Sequence, residues 1–105
     1  MLTKKDVMKI AQQYAEKVRT ELDIEAKIYL FGSMASDDFN EDSDIDIAII
    51  SKKFTDDVVG DYAIVASLAH DISWDIEPHA IPYEDTINTT PFTDAIQREG
   101  ILIWA

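Results

Sequence analysis

Two aspartates stand at the beginning of a hydrophobic run in the segment DIDIAII, which extends from Asp44 to Ile50. Successive side chains of a β-strand point to opposite faces, so Asp44 and Asp46 would share one face, roughly 7 Å apart. Ile45, Ile47 and Ile49 would then point into the core. Carboxylates at the start of a buried strand cost free energy unless something positive compensates them. The spacing therefore indicates a cation site.

A glycine–serine pair, Gly32 and Ser33, precedes the aspartates and follows the apolar stretch AKIYLF. If the two predicted strands are antiparallel, this pair lies beside the carboxylates. Glycine lets backbone N–H groups approach an anion closely, and a serine hydroxyl in a short helical turn can hold a phosphate. Mg²⁺ prefers hard oxygen ligands and bridges protein carboxylates to phosphate oxygens. The residues predict a Mg²⁺ site for a nucleoside triphosphate.

A third carboxylate would serve a pair of metal ions better. Asp75 and Glu77 occupy alternate positions of a later predicted strand, WDIEPHAI, which extends from Trp74 to Ile81. Asp75 is the first choice because it comes earlier and ahead of Pro78. Glu77 remains a competitor, since it would share the same face.

The elements that position these groups follow from apolar spacing and capping residues. Thr3 and Asp6 form a variant capping box ahead of a helix over residues 4–22. Strands are predicted over 26–31, 44–50 and 74–81, and Pro78 suggests an edge position or a break for the third strand. A short helix begins at Pro91 and stops at Gly100, and ILIW forms a last strand.

A second long helix is predicted to open at Thr55, followed by Asp56 and Asp57. Its inner face is predicted to comprise or adjoin Val58, Val59, Tyr62, Val65, Leu68, Ala69 and Ile72. The element order α-β-β-α-β-α-β implies an α+β fold (an α/β sandwich), in which helices pack against a small mixed sheet. We expect residues 1–105 to form a single domain.

Composition restricts the partners. The chain carries 21 acidic and 9 basic residues, a formal charge of −12, and no cysteine. Such a surface repels nucleic-acid phosphates and favours metal ions or a basic protein. No disulfide or thiolate metal site is available, and no signal peptide or membrane-spanning run is predicted. We expect a cytoplasmic protein with no direct nucleic-acid or membrane binding.

Gly32-Ser33, ten further residues and Asp44-Ile45-Asp46 resemble the GS…DxD signature of the DNA polymerase β-like nucleotidyltransferase superfamily. The short length and the closing EGILIW resemble its minimal nucleotidyltransferase (MNT) branch. The resemblance implies that Gly32 and Ser33 hold a triphosphate. It also implies that Asp44, Asp46 and a third acid bind two Mg²⁺ ions, with Mn²⁺ as a substitute. A nucleoside monophosphate, most simply AMP from ATP, would pass to a hydroxyl acceptor.

Minimal members of that family often accompany a helical HEPN-domain protein and act as its antitoxin, some by adenylylating it. The resemblance therefore implies a HEPN-type toxin, or another basic helical protein, as partner and acceptor. Related stretches often read GSRARG, whereas Met34, Ala35 and Ser36 follow the pair here and supply no positive charge. This departure favours an alternative, a non-catalytic antitoxin that neutralises its partner by direct contact.

Other polar and aromatic residues have simpler interpretations. A solvated loop is predicted for the acidic residues Asp37, Asp38, Glu41 and Asp42. His70 is interpreted as a partly buried or surface residue, and His79 shows no partner pattern suggesting zinc. Four aromatic residues are most simply core or rim residues, although one of them could stack on a purine: Tyr29, Phe31, Trp74 and Phe92.

Overall fold

The computed structural model describes residues 3–35, 44–55 and 57–104. The predicted acidic loop residues Asp37, Asp38, Glu41 and Asp42 lie outside these ranges, as does Asp56. The helices and strands follow one another as α1 (Lys4–Glu21), β1 (Lys27–Phe31), β2 (Ile45–Ser51), α2 (Val58–His70), β3 (Ile76–Pro82), α3 (Pro91–Glu99) and β4 (Ile101–Trp104). Short 3₁₀ turns follow β1 (Gly32–Ala35) and β3 (Tyr83–Thr86).

The four strands form one mixed sheet in the order β3-β2-β1-β4. β1 is antiparallel to both β2 and β4, and β2 is parallel to β3. A parallel pair needs a crossover connection, which α2 supplies. β3 is an edge strand, which confirms the position indicated by Pro78, a residue without a backbone N–H to donate.

The two faces of the sheet bury separate sets of side chains. α1 and α2 cover one face, where Ile28, Leu30, Ile47 and Val65 are among the fully buried residues. α3 covers part of the other face, where Ile96 packs with Tyr29, Ala48, Ile50 and Ile81. Alternation along β2 thus sends its residues to two different cores.

α1 begins as predicted. The Thr3 hydroxyl accepts a hydrogen bond from the Asp6 N–H (3.1 Å), and the Asp6 carboxylate accepts one from the Thr3 N–H (3.0 Å). Tyr14 ties α1 to α2, because its buried hydroxyl donates to the Val65 carbonyl oxygen at 2.7 Å. Burial raises the pKa of this hydroxyl, because desolvation disfavours the charged phenolate.

Two predicted boundaries are wrong by two or more residues, and several others, including the start of β2 at Ile45 rather than Asp44, differ by one. α2 begins at Val58, not at Thr55, because the Asp57 carboxylate caps it by accepting from the Gly60 N–H at 3.1 Å. β3 begins at Ile76, not at Trp74, because residues 74 and 75 form a turn. Asp75 therefore precedes the strand on which it was predicted.

The predicted inner face of α2 is wrong over its first turns. Val58, Val59 and Tyr62 are exposed, whereas the buried residues of α2 are Val65, Ala66 and Ala69. Val58 lies seven residues before Val65 and so on nearly the same side of the helix. It is exposed because it borders open cavities beside β3 rather than the closed core.

Candidate active site

The antiparallel pairing of β1 and β2 brings the glycine–serine pair to the aspartates, as the sequence predicted. Phe31, the last residue of β1, lies opposite Asp46, and Gly32 follows directly. Gly32 has φ of 74°, a conformation that L residues rarely adopt. A Cβ atom on Gly32 would lie 2.5 Å from Asp46 Oδ2. Both the backbone angle and the space therefore require glycine next to this carboxylate.

The 3₁₀ turn Gly32–Ala35 is anchored by one side chain. Met34 is fully buried in the core between the sheet and the first two helices. Ser33 is half-buried, and Gly32 is exposed. The turn thus keeps its apolar residue inside while the glycine–serine pair stays at the surface beside Asp46, where a phosphate could reach it.

The parallel pairing of β2 and β3 places Glu77 directly beside Asp46. Paired residues of adjacent parallel strands point to the same face, and the strands lie about 4.8 Å apart. Both side chains are half-buried. Asp44 is exposed and comes immediately before β2, so it lies at the same edge of the sheet. The structure therefore places Asp46 and Glu77 side by side near the start of β2, with Asp44 directly before that strand.

Asp75 reaches this edge in a different way. It lies in the turn before β3 and is exposed. Its carbonyl oxygen accepts a hydrogen bond from the Ile45 N–H at 2.8 Å, and its N–H donates to Ser73 Oγ at 3.1 Å. The backbone of Asp75 is thus held beside Ile45, one residue before Asp46, and Asp75 is exposed in the turn before β3.

His79 belongs to the site although sequence reasoning assigned it no partner. Its Nε2 atom lies 3.4 Å from Asp46 Oδ1, and both side chains are about one-third exposed or less. His79 lies two residues after Glu77 and therefore on the same face of β3. The alternating pattern Glu77-Pro78-His79 was the available signal. It was missed because the pairing of β3 with β2 was unknown.

Three rings border the carboxylates. The Phe31 ring meets His79 edge-on at 5.0 Å between centroids and meets Phe92 of α3 at 5.7 Å. His79 and Phe92 lie 5.8 Å apart. These contacts hold the His79 ring from two sides, so the group beside Asp46 is fixed in position by packing.

The donors suit a hard cation, although they are not assembled around one. Within the described ranges, no three histidine, aspartate or glutamate side chains are drawn together in a way that would already hold a metal ion. Asp46 and Glu77 nevertheless present carboxylate oxygens on neighbouring strands, and Mg²⁺ prefers such ligands. With Asp44 at the same edge, the chemistry of the donors fits Mg²⁺.

Comparison with known proteins identifies the family. Residues 11–102 match the family model described as the nucleotidyltransferase domain. The chain belongs to this nucleotidyltransferase family. The resemblance to DNA polymerase β-like nucleotidyltransferases, predicted from the GS and DxD residues, is thereby confirmed, and so is the predicted enzyme class.

Individual relatives agree with this assignment. A Methanocaldococcus jannaschii protein provisionally named a protein adenylyltransferase is 28% identical over 97 residues, which cover 91% of this chain and 97% of the relative. A crystal structure from Sulfolobus solfataricus, provisionally titled a nucleotidyltransferase, superposes with a TM-score of 0.75 at 22% identity. That match covers 96% of this chain and 82% of the other. The likeness confirms the predicted α+β fold with a mixed sheet. Among the described helices, none has the length and apolar character needed to span a membrane.

Proposed function

We propose that this nucleotidyltransferase transfers AMP from ATP to a hydroxyl group of a partner protein. The observation that carries the proposal is the pairing of Asp46 with Glu77. Gly32 lies beside this pair, and a side chain at position 32 would collide with the Asp46 carboxylate. The name of the Methanocaldococcus relative, a protein adenylyltransferase, supports AMP as the transferred group and a protein as the acceptor.

We assign Asp44, Asp46 and Glu77 as the carboxylates that would hold Mg²⁺, two ions in the full site, with Mn²⁺ as a substitute. Glu77 takes the place of Asp75 in this assignment because Glu77 lies in register with Asp46, whereas Asp75 is exposed in the turn before β3. Bound Mg²⁺ would neutralise charge on the phosphoryl oxygens. Gly32 and Ser33 would hold the triphosphate through backbone N–H groups and the serine hydroxyl.

The transfer balances without a further reactant. The acceptor oxygen forms a bond to the α-phosphorus as the bond from that phosphorus to the β-phosphate oxygen breaks, and pyrophosphate leaves. Glu77 accepts the hydroxyl proton and releases it to water. His79 keeps the Asp46 carboxylate in position through the 3.4 Å contact. Positioning and charge neutralisation supply most of the rate enhancement.

We further propose that the acceptor is a basic helical protein of the HEPN type and that this chain acts as its antitoxin. The formal charge of −12 supports a basic partner. The residues after Ser33, namely Met34 and Ala35, supply no positive charge to the triphosphate. A basic partner would bring both the acceptor hydroxyl and the missing charge, so transfer would be weak in isolation and rise with the partner.

A second candidate is neutralisation by contact alone, without turnover. The exposed apolar residues Val58, Val59 and Tyr62 at the start of α2 favour it, because large apolar side chains grouped on a surface often mark a docking site. Under this alternative the partner is bound but carries no nucleotide.

The test incubates the protein with α-labelled ATP, Mg²⁺ and a HEPN-type partner, followed by mass spectrometry of the partner. We expect an AMP adduct that is lost with Asp46→Asn and Glu77→Gln and retained with Asp75→Asn. Loss with Asp75→Asn and retention with Glu77→Gln would return the third position to Asp75. A tightly bound partner without an adduct would favour neutralisation by contact.

A further inference from the structure

We propose that the cavity between the Gly32–Ala35 turn and α3 is the nucleoside subsite, with Phe92 stacking on the base and Glu99 selecting adenine. This inference rests on the proposed function and specifies which nucleotide its site accepts. The cavity measures about 460 Å³, within the usual range of roughly 300–1,000 Å³ for small-molecule sites.

The cavity adjoins the phosphate-holding pair. Gly32 and Ser33 form part of its lining, and Phe31, Phe92 and Ile96 supply apolar surface. Phe31 is also the residue paired with Asp46, so the cavity and the carboxylates share this neighbour. A nucleotide with its phosphates at Gly32 and Ser33 and its α-phosphate near Asp46 would therefore find an apolar cavity within reach of its nucleoside.

Phe92 has the properties of a stacking residue. It lies in the first turn of α3 and is 49% exposed, although it is a large apolar side chain. Its ring is nevertheless held by the edge-on contact with Phe31 and by His79. A fixed ring with an accessible surface can stack on a base without losing much conformational freedom.

Glu99 supplies the polar group that would select the base. It is exposed, ends α3 and lines the same cavity as Phe92. An ionised carboxylate only accepts hydrogen bonds. The exocyclic amine of adenine donates them, whereas purine riboside triphosphate carries only a hydrogen on carbon at that position and has no donor on that edge of its base. The cavity therefore should prefer ATP to purine riboside triphosphate.

The first test compares binding of ATP and of inorganic tripolyphosphate, both with Mg²⁺, by isothermal titration calorimetry. We expect Phe92→Ala to weaken ATP binding about tenfold more than it weakens tripolyphosphate binding, in line with the loss of one base-stacking contact. Its loss as a support for His79 would affect both ligands alike. Trp74→Ala is the matched control, because Trp74 is 80% exposed and stacks on His70 at 4.2 Å at the same edge of the sheet. Equal weakening of both ligands by Phe92→Ala, or selective weakening of ATP by Trp74→Ala, would overturn the proposal.

The second test uses Glu99→Gln, which keeps the size and shape of an exposed side chain. The glutamine amide oxygen still accepts from the adenine amine but carries no negative charge, so the preference for ATP over purine riboside triphosphate should fall about fivefold, the difference between a charged and a neutral hydrogen bond. An unchanged preference would remove Glu99 from the subsite. The proposed function can fail while the subsite stands. If Phe92→Ala weakens ATP binding selectively but the partner carries no AMP adduct, the subsite is supported and AMP transfer to the partner is rejected.

Discussion

The two faces of the sheet use alternate residues of one strand for opposite purposes. On the face covered by α1 and α2, the β2 residues Ile45, Ile47 and Ile49 are completely buried. On the other face, Asp46 keeps 27% of its side chain exposed and lies beside Gly32 and Glu77. The closed face stabilises the strands, and the open face presents their polar groups to a ligand. Chemistry is possible at Asp46 because its immediate neighbours Ile45 and Ile47 are buried on the closed face and hold the backbone in place.

The largest effect should come from the open face. We expect Asp46→Asn to lower AMP transfer about a thousandfold, the upper range for removing a group that stabilises transition-state charge, with no loss in the free energy of unfolding. Rates with labelled ATP and thermal unfolding without metal measure the two effects. Mg²⁺ should raise the melting temperature of the wild type but not of this variant. A variant that unfolds at a much lower temperature without metal would show that Asp46 is structural.

The adjacent residue should behave in the opposite way. Ile47→Ala leaves a cavity on the closed face and should lower the free energy of unfolding by about 2–5 kcal/mol. Where the variant is folded, its affinity for ATP should match that of the wild type. Urea unfolding measures the free energy of unfolding, and a titration with ATP at low temperature measures the affinity. A variant that stays stable but loses nucleotide binding would contradict the assignment of stability to the closed face and of ligand binding to the open face.

A smaller effect should appear at the boundary between the faces. Gly32→Ala forces a side chain into a left-handed conformation, at roughly 1–2 kcal/mol, and against Asp46 Oδ2. We expect this modest loss in the free energy of unfolding, together with weaker tripolyphosphate binding. Ser67→Ala is the control. Ser67 lies on the exposed side of α2, where its hydroxyl donates to the Ile64 carbonyl oxygen of the same helix. Equal tripolyphosphate binding by Gly32→Ala and the control would place the phosphates elsewhere.

The smallest effect should lie far from the site, at the start of α1. Hydrogen bonds from Thr3 lower the pKa of the Asp6 carboxyl in the folded protein. A depressed folded pKa contributes stability above the unfolded value of about 3.9, which is lost as the pH falls through the folded value. The melting temperature of Asp6→Asn should therefore be slightly below that of the wild type at pH 7, and the difference should shrink in acid. AMP transfer by the variant should be unchanged at pH 7. A difference that grows as the pH falls would contradict the capping role.

The helix ends and the strand residues that face the core could be predicted from the sequence, because their signals are local. Thr3 and Asp6 mark the start of α1, and Pro91 and Gly100 bound α3. The alternation of DIDIAII placed Ile45, Ile47 and Ile49 in the core. The GS pair was predicted to lie beside Asp46 on the condition that the first two strands are antiparallel, and the structure shows that they are.

The open face depended on contacts between distant segments, and only the tertiary structure decided them. Asp46 and Glu77 are paired because α2 returns the chain parallel to β2 in one particular register. A shift by two residues would have put Asp75 there instead, with the same faces and the same hydrophobic pattern. The neighbourhood of His79, Phe31 and Phe92 depends on that register and on the docking of α3. Local spacing thus determined which residues share a face, and packing across the sheet determined which of them meet.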